Sequence, residues 1–96
     1  MTNTHKMIAK LFGHWGLGDT QQSSLFGTIA DDEPTAMSLL QIHVMLRLLY
    51  PNHPMRYEWI TCSNKKLNGE RPIDIMLRGS GGIQQISKML RHQLLR

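Results

Sequence analysis

A chain of 96 residues with 41% hydrophobic and 19% charged residues has room for one compact domain, and that composition excludes a disordered or fibrous protein. No run approaches the roughly 20 apolar residues of a membrane-spanning helix, no signal-peptide pattern follows Lys6 and Lys10, and a single cysteine, Cys62, excludes an internal disulfide, so a cytoplasmic setting is expected. The net charge of +4 is unevenly placed: residues 1–50 carry three basic and four acidic groups, residues 51–96 eight basic and three acidic, which favours an acidic protein surface, a nucleotide or nucleic acid as partner.

The first periodic stretch runs from Thr4 to Trp15, where Ile8, Leu11, Phe12 and Trp15 share one helix face. Asp19, with Gln22 three residues later, predicts the start of a second helix, and Gly27 after Leu25-Phe26 predicts its end. Residues 28–35 read as an acidic connector, in which Asp31, Asp32 and Glu33 suit the positive end of the next helix and Pro34 its first turn.

From Ala36 to Tyr50 only Ser38, Gln41, His43 and Arg47 are polar, so this segment is the expected spine, and Leu39, Ile42, Leu46 and Leu49 are expected to serve the core or self-association. Met37, Met45, Met55, Met76 and Met89 also stand in apolar contexts that suit an adaptable interior or contact surface. Pro51 and Pro54 stop the spine, and a short helix follows with Met55, Trp59 and Ile60 inward. After a loop over residues 63–71, Pro72 opens the helical segment 73–78, and Gly79 is expected as a left-handed cap. Gly79-Ser80-Gly81-Gly82 reads as a connector to a last helix with Ile83, Ile86, Leu90 and Leu94 on one stripe. With no period-2 alternation and no internal repeat, the predicted fold is all-α, a single-domain bundle of five to six short helices, with 1–30 a helical leader and 31–96 the main helical unit.

Chemistry-bearing residues do not fall into a catalytic or metal pattern. His5, His14, His43, His53 and His92 lack the spacing of a zinc site, and His43 on the spine reads as a core or interface histidine. Cys62 has no base placed beside it by sequence and reads as a structural or surface thiol. Gly79 to Gly82 with Arg78 lacks the preceding strand and the Gly-Lys-Ser/Thr ending of a phosphate-binding loop. Neither an enzyme, a metal nor a cofactor is expected. Gln84, Lys88 and Arg91, spaced i, i+4, i+7, form the polar side of the last helix, with His92 and Arg96 beyond them.

One longer pattern is more specific. LLQIHVMLRLLYPN (39–52), then Trp59, Asn64, LNGERPIDIMLRG (67–79) with Gly69, Pro72, Asp74 and Gly79, and finally GIQQISKML (82–90) resembles the toxin-binding domain of the Xre/MbcA/ParS antitoxins. The resemblance covers about half the chain, with Trp15-Gly16-Leu17 and Leu25-Phe26-Gly27 similar to the leader of compact members. Thr35, Ser87 and Arg91 depart from the pattern, the last by reversing a charge. The resemblance implies a type II antitoxin that binds a RES-domain toxin, an NAD-consuming enzyme, and blocks its active site with the C-terminal region. Gln84, Lys88, Arg91, His92 and Arg96 would be the contacts, and Trp59 to Gly79 the scaffold. The protein would form a homo-oligomer or a hetero-oligomer with the toxin. The alternative is a small DNA-binding regulator, for which the basic second half would supply the phosphate contacts.

Overall fold

The computed structural model describes residues 3–95 and contains six α-helices and no strand among them: α1 (Asn3–His14), α2 (Asp19–Ile29), α3 (Glu33–Leu49), α4 (Met55–Glu58), α5 (Pro72–Met76) and α6 (Ser80–Leu94). Two short 3-10 turns, Trp59–Thr61 and Lys65–Leu67, complete it. The all-α expectation holds. Among the described residues no helix is long and apolar enough to cross a membrane.

α3 is central because its apolar side is the broadest. Ala36, Leu39, Ile42, Met45 and Leu46 are buried, and the helix packs against α1, α2, α4 and, most extensively, α6. Leu39, Ile42 and Leu46 are therefore core residues within a single chain, and Leu49 packs against that core partly buried. Asp32 caps the helix, accepting from Thr35 N–H at 3.1 Å and from the Thr35 hydroxyl at 2.7 Å, which contributes about 1 kcal/mol. The 28–35 connector is accordingly shorter than its composition predicts: only residues 30–32 lie between the helices.

α1 is part of the same core. Ile8, Leu11 and Phe12 are buried, Phe12 meets Phe26 edge-on with centroids 5.0 Å apart, and Trp15 and Leu17 close the layer. α2 corrects two expectations. Its cap is Gly18 and not Asp19, with Gly18 N–H donating to Gln21 Oε1 at 3.0 Å, and the helix runs through Gly27 to Ile29. Gly27 is exposed and Ile29 is buried, so burying one more apolar residue outweighs the roughly 1 kcal/mol that a glycine costs inside a helix.

The second half is built on reciprocal short-range bonds. His53 Nδ1 accepts from Met55 N–H at 3.0 Å at the start of α4, and Trp59 and Ile60 are buried just beyond it. The expected loop over 63–71 closes on itself: Asn64 N–H donates to Glu70 O at 3.1 Å, Gly69 N–H donates to Asn64 O at 2.9 Å, and Asn64 Oδ1 accepts from Lys66 N–H at 2.9 Å. Leu67 plugs this loop into the core. Pro72, buried, opens α5, where the Arg71 guanidinium grips Asp74 through two bonds of 2.9 Å. That pairing holds the Asp74 carboxyl below the usual carboxylate range and raises Arg71.

The junction between α5 and α6 differs most from expectation. Gly79 has φ 130° and ψ −168°, which is not the left-handed helical cap but a region open essentially to glycine alone, and it serves as the N-cap of α6. Its carbonyl accepts from Gly82 and Ile83 N–H. Ser80, Gly81 and Gly82 are thus the first turn of the helix and not a connector. The reason is contact: a Cβ on Gly82 would stand 1.9 Å from Ile75 O, so the absent side chain lets α6 lie directly on the backbone of α5.

Candidate functional site

The apolar stripe of α6 fixes the helix on the domain. Ile83, Ile86 and Leu90 are fully buried, Ser87 is buried between them, and Leu94 is partly buried at the end. The opposite side is thereby turned outward. Gln84, Lys88 and Arg91 are exposed at i, i+4 and i+7, His92 is exposed beside them, and Leu95 ends the face with 81% of its surface accessible. Arg96 lies outside the described residues.

Gln84 has a second tie. Ser38 Oγ on α3 lies 3.1 Å from Pro34 O and 3.2 Å from Gln84 Oε1, and its one hydrogen serves either. His92 reaches the 64–70 loop, lining a shallow groove with Lys66, Met89 and Gln93. The C-terminal end of α6 therefore presents exposed Lys88, Arg91 and His92, with Lys66 of the neighbouring loop beside His92 and partly buried Met89.

α3 contributes a second outward face. Met37, Gln41, Val44 and Leu48 follow one helical row, and Met37, Val44 and Leu48 keep 42%, 54% and 64% of their surface. These are the side chains of the spine for which the chain's own core has no room. Arg47 lies between Val44 and Leu48 in a shallow depression.

The scaffold residues of the sequence pattern come together as structure. Trp59 is buried, Asn64 and Gly69 close the loop, Pro72 and Asp74 begin α5, and Gly79 begins α6. Arg78 is held by Glu70 in an ion pair, so it is not turned to the α6 N-terminus as a phosphate cradle would need. Cys62 is an exposed free thiol.

What sequence reasoning missed lies between α1, α3 and α4. His14 stacks on Tyr57 with centroids 4.9 Å apart and planes 15° from parallel, His43 lies 6.2 Å from the same ring at 12°, and the Arg56 guanidinium sits 5.1 Å over it. Met7, Leu11 and Leu40 floor a groove there, with Lys10 and Arg47 on its rim. Only the spine position of His43 hinted at this; nothing in the sequence places His14 or Lys10 beside it.

The surroundings of His43 perturb it. Burial pushes its pKa below the ordinary value, and the positive charges of Arg47, His14 and Arg56 push it the same way. The fold thus holds the neutral form, while the unfolded chain takes up a proton more readily. The associated stability is full above about pH 6.5 and is lost as pH falls through the lowered folded value. Between about pH 7 and pH 5 the melting temperature should fall, and His43→Gln should flatten that fall by removing the titrating group. Parallel slopes for the two proteins in thermal melts would contradict this.

Among the described residues no three His, Cys, Asp or Glu side chains gather as metal ligands. A scan against models of protein families finds no match, and searches of curated proteins and of solved structures return none.

Proposed function

We propose that this protein is the antitoxin of a type II toxin-antitoxin pair, binding a RES-domain, NAD-consuming toxin and blocking its active site with the end of α6. The observation that carries the reading is the division of α6 itself: one side is anchored by Ile83, Ile86 and Leu90, while Gln84, Lys88, Arg91, His92 and the exposed Leu95 face outward. A helix held rigidly along one stripe presents its other stripe at little further entropic cost, which suits it to insertion into a partner. The order of residues along the chain supports the same reading, through the resemblance of 39–90 to the antitoxin domain.

In this reading Arg91 and Arg96 pair with acidic groups at the rim of the toxin's pocket, because the pocket itself must accept a pyrophosphate and already carries positive charge. The exposed row Met37, Val44 and Leu48 on α3 adds an apolar contact, to the toxin or to a second copy of the chain. The proposal is a protein-binding role with no reaction of its own.

Co-expression with a RES-domain toxin tests this. The wild-type chain should restore growth, and Lys88→Glu/Arg91→Glu, on exposed positions, should keep its helical spectrum while weakening toxin binding by roughly tenfold or more and removing protection. Deleting residues 91–96 should act in the same direction, with a modest stability loss from Leu94. Full protection by a folded double variant would overturn the assignment of the α6 face. Affinity for duplex DNA that falls by orders of magnitude between low and moderate salt, without toxin binding, would instead favour the DNA-binding regulator.

A further inference from the structure

The groove between α1, α3 and α4 collects positive and hydrogen-bonding groups with no acid to balance them. Lys10 and His14 come from α1, His43 and Arg47 from α3, and Tyr57 from α4, around a space of about 290 Å³. No carboxylate lines it. The ion pairs of the described residues are Arg71–Asp74 and Arg78–Glu70, so Lys10 and Arg47 have no carboxylate partner among those residues. Every charge that perturbs His43, from Arg47, His14 and Arg56, is positive. Glu58, the acid of α4, is exposed and does not line the groove.

The histidine chemistry points the same way. His43 Nδ1 is buried and has no hydrogen-bond partner. A buried lone pair costs less than a buried N–H without an acceptor, so the proton of neutral His43 belongs on Nε2. The groove is therefore supplied with donors: the Lys10 ammonium, the Arg47 guanidinium and an imidazole N–H. The faces of Tyr57 are taken by His14, His43 and Arg56, which leaves no open ring for a nucleobase to stack on. What such a site recognises is charge and acceptor geometry in a compact group.

We propose that this groove is a binding site for a phosphate-class oxyanion, held by Lys10 and Arg47 with His14 and His43 as additional donors, and distinct from the outward face of α6. Binding of an anion offsets the mutual repulsion of the cations and favours the protonated form of His43. By linkage, phosphate should raise the pKa of His43.

Imidazole resonances of the full chain, titrated with inorganic phosphate against sodium chloride at matched ionic strength, test the site. Saturable shifts are expected for His14 and His43 and none for His53 or His92, which lie outside the groove. A parallel titration with adenosine monophosphate separates the two sources of the group: equal affinity identifies the bare anion as sufficient, and tighter binding identifies a phosphoryl group carried on a larger ligand. Lys10→Gln/Arg47→Gln, at two exposed positions, should retain the fold and weaken phosphate binding about tenfold or more. Shifts that track ionic strength without saturating, or unchanged affinity in the folded double variant, would overturn the proposal.

Discussion

Gly82→Ala should lower the stability of this protein by about 3 kcal/mol or more, near the top of the range for a single added methyl. The new Cβ would meet Ile75 O at 1.9 Å and Ile75 C at 2.8 Å, and both are backbone atoms that no rotamer change can move aside. Relief requires α6 to lift from α5, which opens the core that Ile73, Met76, Ile83 and Ile86, all fully buried, share. At the scale of roughly 4–8 °C per kcal/mol for a domain of this size, the melting temperature should drop by more than about 12 °C. Gly81→Ala, one residue earlier, is the control, because its Cβ would meet nothing within 4 Å. There the ordinary helix preference for alanine should raise stability by about 0.5–1 kcal/mol. Opposite signs at adjacent glycines in thermal or denaturant melts are the expected result. A Gly82→Ala protein melting within two or three degrees of wild type would show that the two helices do not touch at this point.

Leu46→Asp should leave no folded protein under ordinary conditions, whereas Leu48→Asp, on the same helix, should change stability by no more than about 0.5 kcal/mol. Leu46 is fully buried in the last turn of α3. A carboxylate there loses the burial of a leucine, itself about 2–5 kcal/mol, and adds the cost of a charge with no partner. The total approaches the whole stability expected of a small domain. Leu48 keeps 64% of its surface, and an aspartate there remains in water. Its effect should instead fall on association: Leu48→Asp and Val44→Asp should weaken binding to a partner or a second copy while the melting temperature holds. Circular dichroism and sedimentation on the three variants separate core from contact surface, and equal stability of Leu46→Asp and wild type would remove α3 from the core.

Both results turn on a difference between chemically identical residues one or two positions apart. Periodicity identified α1, α3 and α6 and the inward stripes of α1 and α6, because an amphipathic helix must repeat its apolar residues near 3.6 wherever it packs on a core. Asp32, Pro34 and Pro72 marked helix starts for equally local reasons: a side-chain acceptor two or three residues ahead of free N–H groups, and a ring that presets φ. The outward position of Lys88, Arg91 and His92 follows from the same rule, since anchoring Ile83, Ile86 and Leu90 leaves one side for water.

Tertiary structure decided what local chemistry leaves open. Glycine reads in sequence as a breaker, yet Gly27 lies within α2, and Gly81 and Gly82 within α6, because packing gains by neighbours outweigh the modest local penalty. A nearly all-apolar spine does not say which of its sides is covered; only the placement of α1, α2, α4 and α6 around it left Met37, Val44 and Leu48 outside. The gathering of Lys10, His14, His43, Arg47 and Tyr57 was invisible for the same reason. Three separate helices bring these residues together, and no local preference of any one segment encodes the distance between them.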